Sequence, residues 1–185
     1  MSQISNKSYL KFLINSGISS FLQDKPNNFY NIDLNPKNPI ILNKVSDIKN
    51  IDELKFYIDN TNICNLKNNA NKTVFGDGNK NAKIMLIGEA PGAEEDKIGL
   101  PFVGAAGQLL TKMLNAINLE RSNIYITNVL PWRPPNNRTP SNEEILKCLP
   151  FVEKHIELIN PKIIVLLGST SAKAVLATNL NISKL

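Results

Sequence analysis

Apolar positions form helical stripes early in the chain and alternate between short runs and stripes later. Leu10, Leu13, Ile14, Ile18, Phe21 and Leu22 share one helical face, which predicts a helix over 7–22. Residues 23–46 are rich in Asn and Pro without clear periodicity and read as a linker. Ile48, Ile51, Leu54, Phe56 and Ile58 predict a second helix over 47–60. A polar stretch over 60–83 follows and holds a turn signal, Gly76-Asp77-Gly78-Asn79. Ile84–Ile87 then reads as a buried strand ending at Gly88, and Ile124–Val129 as a second. Between them Leu109, Leu110, Met113, Leu114 and Ile117 mark a helix.

Ser141 and Glu144 form a capping box for a further helix carrying Ile145, Leu149, Val152, Ile156 and Ile159. Pro150 is expected to kink that helix or split it, and Pro161 to stop it. Ile163–Gly168 is the longest apolar run and predicts a buried third strand, followed by a helix over 169–177. Strand and helix alternate, so the expected class is α/β with a parallel sheet. The expected division is an arm over 1–46 and a compact domain over 47–185. No apolar run reaches the ~18–20 residues of a membrane span. The first residues lack a signal core, so a cytoplasmic location is expected.

Composition changes this picture in four places. The chain of 185 residues carries 21 basic and 16 acidic side chains, net +5, which permits a nucleic-acid partner without requiring one. Only three residues are Arg, and Arg133 and Arg138 share one Pro-rich loop over 131–140. Planar donors on a stiff loop suit a phosphate, though a plain surface loop fits as well. The 27 Asn residues, with Lys and Ile, read as codon bias. There are two cysteines, Cys64 and Cys148, and one histidine, His155. Two thiols alone fall short of the four ligands a structural zinc or iron–sulfur site usually takes.

Candidate chemistry sits where strands end, since ligands of open parallel sheets bind at the carboxyl edge. The loop Gly88-Glu89-Ala90-Pro91-Gly92 could bring backbone amides close to a ligand, but it lacks a Walker ending. On local grounds it could equally be a tight turn with a solvated acidic run, Glu94-Glu95-Asp96. Phe102, flanked by Gly99 and Gly104, could stack on a flat base or serve the core. Asn128 at the end of the second strand has one acceptor and two donors, enough to read a pyrimidine edge.

Five segments agree in order and spacing with one family. They are Gly88–Asp96, Gly99–Gly104, Gly107–Leu110, Ile126–Asn128 and Arg133–Arg138. The chain resembles the family 4, iron–sulfur type uracil-DNA glycosylases from about Thr61 onward. That resemblance implies a three-layer α/β/α fold and hydrolysis of the deoxyuridine N-glycosidic bond in DNA, by a monomer acting on a flipped base. Carried over by motif, Phe102 stacks on uracil and Asn128 reads its polar edge. Gly88, Ala90, Pro91 and Gly92 line the pocket, and Glu89 positions water or stabilises a cationic sugar. Arg133, Asn137 and Arg138 meet the DNA backbone or support the pocket.

The chain departs from that family twice. The family holds a 4Fe–4S cluster on four cysteines; here the four positions read Thr61, Cys64, Trp132 and Cys148, with the 16-residue spacing from 132 to 148 retained. An intact cluster is therefore not expected. The family also carries a His-Pro motif after a fourth strand. The expectation is three strands, with that strand and its histidine missing, and His155 a helix-surface or packing residue. Two readings of function follow: a working uracil-DNA glycosylase, or a truncated remnant that binds DNA weakly. A small nucleotide- or phosphate-binding α/β protein, a third reading, conflicts with the five-segment agreement.

Overall fold

A computed structural model describes residues 45–178, 180 and 182–184. The helix expected over 7–22 lies outside them. The elements in order are α1 (Ile51–Asn60), β1 (Asp77–Gly78), β2 (Ile84–Gly88), α2 (Ala93–Ile98), α3 (Ala105–Ala116), β3 (Tyr125–Asn128), α4 (Asn142–Ile159), β4 (Ile163–Leu166) and α5 (Ser169–Leu176). Short 3₁₀ turns lie at Asn65–Asn69, Arg121–Asn123, Pro135–Asn137 and Ile182–Lys184.

The sheet has four strands in the order β1-β3-β2-β4, which corrects the expected three. β3, β2 and β4 run parallel, and β1 pairs antiparallel with β3. The additional strand is the segment read as a turn. Gly78 permits it: its φ is +103°, and a Cβ there would stand 2.0 Å from the Ile124 carbonyl oxygen. The sequence signal for a turn was sound, but pairing with a neighbouring strand is a tertiary event.

Alternation along the strands sends side chains to two cores. Met85, Ile87 and Tyr125 face α1, α4 and α5, together with Leu54, Ile58, Phe151, Val152 and Ala174. Leu86, Ile124 and Ile126 face α3 through Leu114, with Leu110 and Phe102 packed alongside. Helices on both faces give the expected three layers. Val45 is buried in the first core, so that core already includes a residue placed in the linker.

Three further expectations are corrected. The helix expected over 47–60 begins at Ile51, because the Asn50 side chain accepts the Glu53 amide and caps it there. Pro150 does not split its helix: α4 is continuous over 18 residues, started by the Ser141–Glu144 capping box. The Ile163–Gly168 run forms an edge strand, not a buried one. Ile163, Ile164 and Val165 are 54%, 36% and 38% exposed, since β4 pairs only with β2 among the described residues. The stripe on α3 is likewise half open: Leu114 is buried, but Leu109, Met113 and Ile117 face outward. Periodicity reports an apolar face, and whether anything covers it depends on neighbours. No helix among the described residues is long and apolar enough to cross a membrane.

Candidate active site

The parallel register sets Gly88 directly beside Asn128 at the carboxyl ends of β2 and β3. The chain leaves β2 toward α3 on one face and leaves β3 toward α4 on the other, which opens a crevice between the two loops. Backbone bonds continue past the strands. Val129 N–H donates to the Gly88 carbonyl at 2.9 Å and Leu130 N–H to the Glu89 carbonyl at 3.0 Å. The first loop therefore leaves the sheet along a fixed path.

Gly88 is where three candidates converge. A Cβ at this position would stand 2.5 Å from Asn128 Oδ1 and 2.6 Å from Phe102 Cζ. The amide and the ring thus both lie against a bare Cα. Asn128 is 6% exposed, and its side-chain amide makes no hydrogen bond among the described residues. It is not among the buried atoms left without a partner, so the amide keeps contact with the crevice, where a ligand could pair with it.

Phe102 is held in place from several sides. Its φ of 54° lies in the left-handed region, which costs a non-glycine residue about 1–2 kcal/mol. Gly107 on α3 allows the close approach, since a Cβ there would be 1.8 Å from the Phe102 carbonyl oxygen. Arg121 donates to that same oxygen at 2.9 Å and to the Pro101 carbonyl at 2.8 Å. Its other contacts run to Asp77 Oδ2, at 2.7 and 3.0 Å. The guanidinium thus ties the aromatic loop to β1.

Glu95 joins the first loop to the second. One carboxylate oxygen accepts the Val103 and Gly104 amides at 2.9 and 2.8 Å, and the other accepts Gly92 N–H at 3.1 Å. Burial opposes its charge, but these amides outweigh burial and hold the carboxyl below its usual range. Asp96 is 1% exposed and accepts the Asn71 and Lys72 amides. The acidic run is therefore not a solvated face: Glu94 is exposed, while Glu95 and Asp96 knit loops together. Arg121, Glu95 and Asp96 were not singled out from sequence. Glu95 and Asp96 lay inside a quoted motif, and Arg121 was one of three arginines, but their partners are up to 44 residues away.

Glu89 accepts a hydrogen bond from the Thr170 hydroxyl at the start of α5. This brings the loop after β4 to the same edge. Ala90 packs against the first core, Pro91 is buried and Gly92 caps α2, so this part of the loop is scaffold for the backbone.

The arginine loop is pre-arranged by its own contacts. Arg133 Nε donates to Asn137 Oδ1 at 2.7 Å. Arg138 makes a two-pronged pair with Glu144, at 2.8 and 2.6 Å, and holds that carboxyl down to about 2. Arg138 therefore anchors the loop to the α4 cap, leaving Arg133 the less committed cation. His155 is far from this edge. It is 3% exposed, its ring lies 4.4 Å from Phe75 and 5.9 Å from Tyr125 at the opposite end of β3, and burial pulls its pKa down to about 4. It is a packing residue.

The four positions implied for a cluster hold too few donors. Cys64 and Cys148 are both buried in the first core, where their mutual interaction lowers the Cys64 thiol to about 7 against burial and, with burial, raises Cys148. Thr61 carries a neutral hydroxyl, and the Trp132 indole has only an N–H to give. No group of three or more His, Cys, Asp or Glu gathers among the described residues. The residues present do not fit a four-thiolate cluster.

Fold and site together define an α/β domain whose ligand edge lies at the carboxyl ends of parallel strands. The Uracil DNA glycosylase superfamily matches residues 75–184. The chain belongs to that superfamily. It is 45% identical over 130 residues to a Type-4 uracil-DNA glycosylase of Pyrobaculum aerophilum, covering 70% of this chain and 65% of that protein. It is 52% identical over 111 residues to the Type-4 enzyme of Sulfurisphaera tokodaii, covering 60% and 50%. With the Type-4 enzyme of Archaeoglobus fulgidus identity is 46% over 126 residues, covering 68% and 63%. The chain thus matches between half and two-thirds of the length of these relatives.

Proposed function

We propose that this chain is a uracil-DNA glycosylase that releases uracil from deoxyuridine in DNA. The observation that supports this best is the unpartnered Asn128 amide lying beside Phe102 over the bare Cα of Gly88. Uracil presents an N3–H donor next to the O4 acceptor, and an amide oxygen and NH₂ pair with both. Cytosine presents the reverse pattern, so the same amide would be left mismatched, at a cost of about 1–3 kcal/mol. Phe102 supplies the face on which the flipped ring stacks, worth roughly 1–3 kcal/mol.

Bond breaking leaves positive charge on the sugar and negative charge on uracil. Glu89, oriented by Thr170, is the carboxylate at this edge that can stabilise the cationic sugar or hold the attacking water. Water adds its oxygen to the sugar carbon, and its remaining proton balances the departing uracil anion. Of this loop's backbone amides, those of Glu89 and Ala90 remain for the leaving base, since Pro91 has none and Gly92 N–H is held by Glu95; Arg133 meets the DNA phosphates, with Asn137 and Arg138 holding its loop. A monomer working on DNA in the cytoplasm completes the reading.

The test is excision from uracil-containing single-stranded and duplex DNA. Uracil release that Asn128→Ala and Phe102→Ala each reduce by at least tenfold is expected. Absence of release from the wild-type chain, or release indifferent to both substitutions, overturns the proposal.

A further inference from the structure

The positions at which the resemblance implies a cluster converge in one place in this fold, and each is already engaged. Thr61 ends α1, and its backbone N–H donates to the Tyr57 carbonyl at 2.9 Å. The Tyr57 ring meets Phe151 edge-on at 6.1 Å, and Phe151 meets Trp132 at 6.3 Å with planes 86° apart. Cys148 lies one helical turn before Phe151 on α4 and shares its core with Cys64. Trp132, Cys64 and Cys148 are 1%, 2% and 0% exposed, within a single core. Trp132 Nε1–H donates to Thr73 Oγ1 at 3.2 Å, so the buried indole leaves no orphaned donor.

We infer that this locus is a metal-free packed joint, in which an aromatic ladder and a thiol pair hold α1, the Trp132–Arg133 loop and α4 together. Two physical points carry the inference. A buried indole occupies volume at a ligand position and offers no lone pair for iron. The remaining position offers a neutral hydroxyl, a poor ligand for iron, and the two thiols are packed in the same core as the indole. A cluster would have to displace a fully buried Trp and break these contacts, for only two thiolate bonds. The placement of the arginine loop is then independent of iron supply and of cluster oxidation. The inference rests on family membership and on packing, and not on uracil release.

The test is anaerobic reconstitution of the full chain with ferrous iron and sulfide. Iron and sulfide content, visible absorption and thermal unfolding with and without a chelator are then read. The wild-type chain is expected to retain substoichiometric iron, show no cluster absorption band and unfold at the same temperature with chelator present. Trp132→Ala is expected to lower the unfolding temperature equally in iron-supplied and iron-starved preparations. About four irons per wild-type chain, or chelator-dependent loss of stability, overturns the inference. The double variant Thr61→Cys/Trp132→Cys restores four thiols, and a new cluster band in it alone supports the inference. Absorption of equal strength in both proteins refutes it.

Discussion

Arg121 is the residue whose removal best separates positioning from packing. Its guanidinium serves Phe102, Pro101 and Asp77, and its side chain is 25% exposed. Charge-assisted hydrogen bonds contribute about 1.5–3 kcal/mol each when dry. Partial exposure lets water replace much of that, so Arg121→Ala is expected to cost about 2 kcal/mol overall. In a domain of this size that lowers the unfolding temperature by roughly 4–8 °C. The local effect is larger in consequence. The left-handed backbone at Phe102 stores about 1–2 kcal/mol, and the clamp holds it there. Without the clamp the ring leaves its place over Gly88 most of the time, and uracil release under single-turnover conditions falls about tenfold or more. Arg121→Lys keeps a charge for Asp77 but loses the fork to the two carbonyls. It should recover much of the stability and little of the rate. Equal recovery of both in Arg121→Lys, or a wild-type rate in Arg121→Ala, refutes the argument that this side chain positions Phe102.

Gly88→Ala is expected to leave the sheet folded but displace Asn128 or Phe102, since its Cβ would stand 2.5–2.6 Å from both; a crystal structure and a loss of release check this, and an unchanged rate refutes it. Acid should weaken the fold through His155. Its folded pKa is about 4 and its unfolded value about 6.5, so the unfolded chain binds the proton first. Its contribution is complete above pH 6.5 and declines as pH falls toward 4, by up to about 3 kcal/mol. Glu144, held down to about 2, loses its contribution only below its unfolded value of about 4.5, while Glu153, raised by burial, acts with the opposite sign as pH falls, so the comparison with a His155 variant isolates His155. His155→Phe also removes an unpartnered buried nitrogen, and denaturant titrations of the two proteins should diverge as pH drops from 6.5 to 4.5. Parallel curves across that range would contradict the assignment.

Much of this molecule is local, and local features are legible in order along the chain. The strands Ile84–Gly88 and Tyr125–Asn128 announce themselves as apolar runs bounded by polar loops. The α4 start is written in Ser141 and Glu144, whose reciprocal bonds span three residues. Motif order brought Gly88, Phe102 and Asn128 under suspicion together, because loops after parallel strands must meet at one edge. The same reasoning marked Trp132 as standing where the resemblance implies a cysteine.

Other features depend on which surfaces meet, and only the folded chain decides that. Asp77–Gly78, inside a turn signal, becomes a strand because β3 passes alongside it. The Ile163–Leu166 run lies open to solvent because β4 is an edge, a fact about neighbours and not about its own hydropathy. Glu95 and Asp96 look like surface charge until backbone amides from 71–72, 92 and 103–104 close around them. Arg121 acquires its role from carbonyls 19 and 20 residues away and a carboxylate 44 away. Residue type and spacing determined the elements and the candidate ligand edge. Packing decided which polar groups are spent on the scaffold and which, like the Asn128 amide, are left unpaired, because hydrogen-bond partners across a fold are set by three-dimensional approach and leave no periodic trace in the chain.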